Sequence, residues 1–313
     1  MIHPAPADER PLPGIAAPLA AAIAAGLLTV LTWWAFVTTR PGQVLEALAM
    51  AGSHVGASRV NDQADQLLAT VSVPMVAAVI LVVLAIGLAR GRLVAGLAAA
   101  AAVGGANVST QLLKYRIFER DDLLSLGSWN GTNTLPSGHT TVAASALVGL
   151  VLVVPPVLRA LTAAIGMLAV SAYGLATLVN QWHRPSDVIA AVLVSCGWGC
   201  LAVAAIRVAE RSGRHRDVRH SPGIASAVLV GLGGCGLLLA LAAGFLVRDA
   251  AASGADRATA VIAYAGGIAA LAGTAAVCFG VLLRLLDATR PTSRVRERVE
   301  PGGVEAAEPA PPG

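Results

Sequence analysis

Eight stretches of nearly uninterrupted apolar residues run along the chain, at 14–37, 71–89, 93–113, 139–154, 157–179, 188–206, 224–247 and 260–283. Each approaches the roughly 20 residues that carry an α-helix across a hydrocarbon core about 30 Å thick. Their apolar character is continuous, not alternating, which predicts spanning helices instead of the strands of a closed barrel. The pattern predicts an all-α, polytopic membrane helix bundle: a six-span core over 14–208, then a basic loop and two extra C-terminal spans within 209–289. The first run is too long for a cleaved signal peptide. Its leader sets Asp8 and Glu9 against Arg10, and another span follows, so it is expected to stay as a signal anchor. The Pro-rich leader 1–13 and the tail 290–313, rich in Pro, Gly, Arg and Glu, are expected to be disordered.

Composition agrees with the pattern. Hydrophobic residues make up 56% of the chain and charged ones 13%, against roughly a quarter charged in a soluble domain. The net charge of +4 is spread over short segments between apolar runs, so no nucleic-acid footprint is present. Cys196, Cys200, Cys235 and Cys278 all fall inside apolar runs, where a thiol acts as a small hydrophobe. No disulfide framework is indicated. Cys196 and Cys200 share a helix face, but no histidine or carboxylate is expected beside them, so a metal site is not predicted.

Orientation follows from Lys and Arg on the two sides. With eight spans, the side holding both termini carries 14 of the 22 basic residues, and the opposite side eight. Both termini are therefore expected in the cytoplasm of a multi-pass cell-membrane protein. Trp33, Trp34, Trp129 and Trp182 then lie near the outer surface as interfacial anchors.

Polar residues converge on that outer surface. Lys114 ends the third run; Pro136, Ser137, Gly138 and His139 open the fourth; His183, Arg184, Pro185, Ser186 and Asp187 open the sixth. His139 and His183 are 44 residues apart, roughly 66 Å of helical path or about two crossings, so both return to one face. Lys114 is the single lysine beside 21 arginines. The spacing of four between His183 and Asp187 puts both on one helix side, where the carboxylate can hold one ring nitrogen and free the other to attack. Pro185 suits a first helical turn, and Ser137 with Gly138 another helix start. Backbone N–H groups and two helix N-termini can thus face an anion, of which phosphate is the natural guest. His139 can protonate a leaving oxygen while Lys114 and nearby arginines neutralise charge on the equatorial oxygens. This chemistry requires no metal and no cofactor.

These residues resemble the type 2 phosphatidic acid phosphatase superfamily, which includes lipid phosphate phosphatases, bacterial polyprenyl diphosphate phosphatases and vanadium haloperoxidases. The resemblance covers roughly 93–206. The Pro-Ser-Gly-His signature stands at Pro136 to His139, and the His-x-x-x-Asp of the last motif at His183 to Asp187. The resemblance implies that His183 is the nucleophile, Asp187 its partner and His139 the general acid, with Lys114, Ser137 and Gly138 binding phosphate. It makes 14–208 a six-span phosphatase core. Two places depart from the family. Where its first motif has Arg-Pro this chain has Asp121 and Asp122, and the nearest arginine is Arg120. Where its last motif begins Ser-Arg this chain has Ala176 and Thr177. The expectation carries the first arginine's role to Arg120 and offers Arg184 or Arg116 in place of the second.

Other polar positions have plainer readings. Asn107, Ser109, Thr110 and Gln111 are expected to hydrogen-bond between helices, His54 to be solvated, and Arg207 to Arg219 to set topology. Glycines 231, 233, 234 and 236 are expected to permit close helix packing. The expected function is hydrolysis of a lipid-linked phosphate, a polyprenyl diphosphate first, on the outer face. The partners are the lipid phosphate and the surrounding membrane lipids. The alternatives are a phosphotransferase of the same fold, and a non-catalytic lipid-binding member or transporter.

Overall fold

A computed structural model describes residues 14–55, 57–125, 132–210, 223–248 and 256–287. The leader, the tail, Trp129 and the arginines at 211–219 lie outside the described residues. Among the described residues ten α-helices follow one another: α1 (Ala16–Val37), α2 (Arg40–Ser53), α3 (Asn61–Ala69), α4 (Val73–Ala89), α5 (Leu93–Leu112), α6 (Gly138–Val153), α7 (Pro156–Val179), α8 (Pro185–Glu210), α9 (Gly223–Arg248) and α10 (Arg257–Asp287). A helix stands at each of the eight apolar runs, giving a polytopic helical bundle. Six of them are long and apolar enough to cross a membrane. The other two are shorter: α4 has 17 residues and α6 has 16, about 24–26 Å at 1.5 Å per residue.

Local chemistry sets the helix ends. Ser72 accepts from the Met75 N–H at 3.4 Å ahead of Pro74, and Ser137 accepts from Thr140 N–H at 3.4 Å, each satisfying a donor the first turn leaves free. Gly91, at φ +64°, takes the left-handed position that turns α4 into α5 within three residues.

The segment 38–70, between the first two apolar runs, contains two helices. Thr39 caps α2 by accepting from Gly42 N–H at 3.2 Å, with Pro41 in the first turn. Leu48 and Ala49 of α2 pack against Val247 of α9 and Ala263 of α10. At 14 residues α2 lies outside the spans.

At the bundle centre is α8. Nearly three quarters (72%) of its apolar window is buried, against 17% for the peripheral α9. Its Val192, Cys196, Cys200 and Val203 join the main core with residues of α5, α6, α7 and, from α10, Ala275, Cys278, Phe279 and Leu282. Three of the four expected residues make interhelical bonds: Asn107 to Ser145 at 3.1 Å, Thr110 with Thr141 at 2.9 Å, and Ser109 from Trp198 Nε1 at 3.0 Å. Of the four glycines in α9, Gly233 and Gly236 meet α10 at Gly273, where an added Cβ would stand 2.6–3.1 Å from its neighbours. Gly231 and Gly234 face open space.

Candidate active site

The C-terminal end of α5 and the N-terminal ends of α6 and α8 meet at one end of the bundle. The connection from α7 to α8 turns through Gln181 at φ +60°, whose side chain donates to Met50 O at 2.8 Å and Ser53 Oγ at 2.7 Å. This corner delivers His183 to the head of α8, two residues before the helix begins. There the Asp187 carboxylate, 1% exposed, receives on Oδ2 the Thr134 hydroxyl at 2.6 Å, the Arg184 N–H at 2.9 Å and His183 Nδ1 at 3.1 Å. A carboxylate only accepts, so Nδ1 carries the hydrogen and Nε2 keeps its lone pair. The imidazole is thereby held in one tautomer and one orientation.

The Ser137 N–H donates to Asp187 O at 2.9 Å, fixing the start of α6 against that turn. The Ser137 hydroxyl is buried and spent on capping its own helix. Gly138 follows half-buried with Gln111 Nε2 nearby. The half-buried His139 sets its ring 5.3 Å from the Trp182 ring, and Lys114 and His183 are near enough to act on it electrostatically. Lys114 lies in a π-helical turn at Leu113–Ile117, a rare local form often found at functional sites. Asn133 braces that turn, donating to Lys114 O, Phe118 O and Leu135 O at 3.0–3.1 Å. Trp33 stacks on Phe118 at 4.9 Å. Trp34 and Trp182 are exposed.

The arginines form a second layer around a residue the sequence reading passed over. Glu46 of α2 is 2% exposed. Its carboxylate accepts from Arg120 Nη1 at 3.2 Å and from the Ser186 hydroxyl, and lies 4.0 Å from Arg184 Nε. Burial first, and then the charge of Asp187, push the Glu46 carboxyl up to about 7, against the pull of Arg184, Arg120 and Ser186. Arg184 also donates to Thr134 Oγ1 at 2.8 Å, linking the Glu46 cluster to Asp187. One signal was available: Glu46 is the only charged residue between Arg40 and His54. Thr177, standing where the family has arginine, is fully buried; its hydroxyl donates to Gly174 O at 2.7 Å and its carbonyl accepts from Trp182 and His183. Arg116 is exposed.

Among the described residues no group of three or more His, Cys, Asp or Glu side chains is arranged to hold a metal ion. The arrangement can present one imidazole nitrogen as a nucleophile, a second imidazole in its vicinity, and cations for an anion. The family model for the PAP2 superfamily matches residues 16–211, from α1 to the end of α8. No curated protein and no solved structure gives a match.

Proposed function

Because the chain belongs to the PAP2 superfamily, we propose that it is a membrane phosphatase that hydrolyses a lipid-linked phosphate through a phosphohistidine at His183. The observation that carries this reading is the 3.1 Å contact of His183 Nδ1 with a buried, triply bonded Asp187, beside His139 and Lys114. In the first step His183 Nε2 bonds to phosphorus as the bond to the leaving oxygen breaks, and His139 gives that oxygen a proton. In the second, water attacks phosphorus and loses a proton to His139. The phosphorus–nitrogen bond breaks and inorganic phosphate departs. Lys114 and Arg184 neutralise the equatorial oxygens, and Arg120 adds positive charge behind them. The N–H of Gly138, at the head of α6, completes the cradle, while Ser137 holds that helix start against Asp187.

The excess of basic residues on the side of the termini supports a site facing away from the cytoplasm. A carrier lipid dephosphorylated on that side, a polyprenyl diphosphate, is the substrate such a location suits best. The test is phosphate release from a polyprenyl diphosphate, a phosphatidate and a phosphatidylglycerol phosphate by purified protein with a chelator present. Activity should persist in chelator and follow a bell-shaped pH profile, because one imidazole must be neutral and the other protonated. His139→Ala should lower kcat by on the order of 100-fold to 10,000-fold, and His183→Ala should abolish the phosphoenzyme. Equal release by wild type and both variants would sink the mechanism.

A further inference from the structure

A cavity of about 870 Å³ lies between α1, α2, α8, α9 and α10, within the range of roughly 300–1,000 Å³ typical of small-molecule sites. Its walls are almost wholly hydrocarbon. Small residues clear the space, among them Ala24 of α1, Ala240 and Gly244 of α9, and Ala263 of α10. Thr32 and Thr274 line it too, but their hydroxyls donate back to Leu28 O and Ala270 O of their own helices. Two walls contribute exposed apolar side chains: Leu28 (47%) and Leu31 (51%) on α1, Leu241 (61%) and Phe245 (66%) on α9. α1 packs on α8 and α2, while α9 packs chiefly on α10. The space between them therefore opens sideways, where a bilayer's acyl region would be.

The remaining polar groups gather at one end. Glu46 and Ser186 close it on the inside. Arg248 stands at the end of α9, its guanidinium 5.8 Å from the centre of the Phe245 ring. This is the end that holds His183 and Asp187. Ser186 stands beside Asp187 on the first turn of α8, which Arg184 immediately precedes and whose next turns contribute Ile189 and Leu193 to the cavity wall. One helix thus presents the candidate phosphate chemistry and the apolar wall back to back. A cationic end on a hydrocarbon slot is complementary to an amphiphile with an anionic head.

We propose that this cavity binds the hydrocarbon chain of the lipid phosphate substrate, and that α9 and α10, outside the family match, give the enzyme its chain selectivity. The inference rests on the phosphatase reading above for the identity of the occupant. Moving a chain from bilayer to cavity gains little hydrophobic free energy, because lipid tails are as apolar as the walls. Selection must come from packing, so the shape and length of the chain decide it.

Gly244→Phe tests this. A Cβ there meets nothing nearer than Leu45 Cδ2 at 4.0 Å, so the new ring can fill the slot without breaking the helix pair. Ala240→Phe serves as a second variant. Each should lower kcat/KM for a long-chain lipid phosphate by about 10-fold or more, through KM. Turnover of butyl phosphate, too short to enter, should stay at the wild-type value. A long-chain lipid phosphate carrying a diazirine in its tail should crosslink to α9 or α10 in wild type and in His183→Ala, and lose that label in Gly244→Phe. Equal loss of activity on both substrates, or no loss on either, would overturn the proposal. So would crosslinks outside these helices, or equal labelling by a phosphatidylcholine with the same tail, which would mark a generic bilayer site. If wild type releases phosphate from nothing, the phosphatase reading fails and the crosslinking pattern still decides the chain site.

Discussion

Asp187 does more than sit beside His183: its Oδ2 gathers a hydroxyl, a backbone N–H and the imidazole. Asp187→Asn keeps the volume but can turn a donor toward Nδ1, favouring the tautomer whose Nε2 is no longer free. In the proposed mechanism kcat should fall on the order of 1,000-fold with KM little changed, in single-turnover and steady-state assays. Glu46 yields a second prediction. Its carboxyl is raised from 4.5 to about 7, so its contribution to stability is fully present below about pH 4.5 and is lost as the pH rises through about 7. The sign is that of a buried acid more easily kept neutral in the fold than in the unfolded chain, at about 1.4 kcal/mol per unit. Glu46→Gln, which cannot ionise, should flatten the decline in melting temperature expected for wild type in detergent between about pH 4.5 and 7. An unchanged pH dependence would remove Glu46 as its source. The contrast between these two carboxylates shows what was legible. Asp187 announces itself through a partner four residues away. Glu46 meets Arg120 and Ser186 across 74 and 140 residues, and a contact at that separation leaves no local pattern.

At the level of helices, all eight apolar runs were legible because continuous hydrophobicity survives any packing arrangement. α2 was not, because a 14-residue helix with mixed polarity resembles a polar loop until its neighbours are known. Its role is to brace. Gln43, fully buried, donates through Nε2 to Val37 O at 2.8 Å and Asp121 O at 2.6 Å, and accepts from Leu123 N–H at 3.2 Å. It ties α2 to the segment that carries Arg120. Gln43→Ala leaves buried polar groups without these bonds and should cost about 2–4 kcal/mol of stability. Gln43→Glu sets a carboxyl against those two carbonyl oxygens with no N–H to offer them, so it should melt no higher than Gln43→Ala. If Gln43→Ala melts with wild type, α2 does not brace that segment.

For the molecule as a whole, the last two helices are no appendage. The core around α8 takes Ala275, Cys278, Phe279 and Leu282 from α10, and Arg207 of α8 donates to Leu285 O of α10 and to Gly14 O at the head of α1. In the sequence these spans stand apart from the core because they carry no recognisable chemistry, and packing leaves no motif. A chain ending at residue 210 should therefore fail to give a monodisperse protein in mild detergent, and supplying 211–313 as a separate polypeptide should recover it. A stable, monodisperse 1–210 fragment would show the core to be self-sufficient. The seat of α10 against α8 also orders events during biosynthesis. At about 5–20 residues per second, α10 begins to emerge roughly 2–10 s after α8 is complete. For that interval the flank of the central helix that Ala275, Cys278, Phe279 and Leu282 will cover has yet to meet its partner.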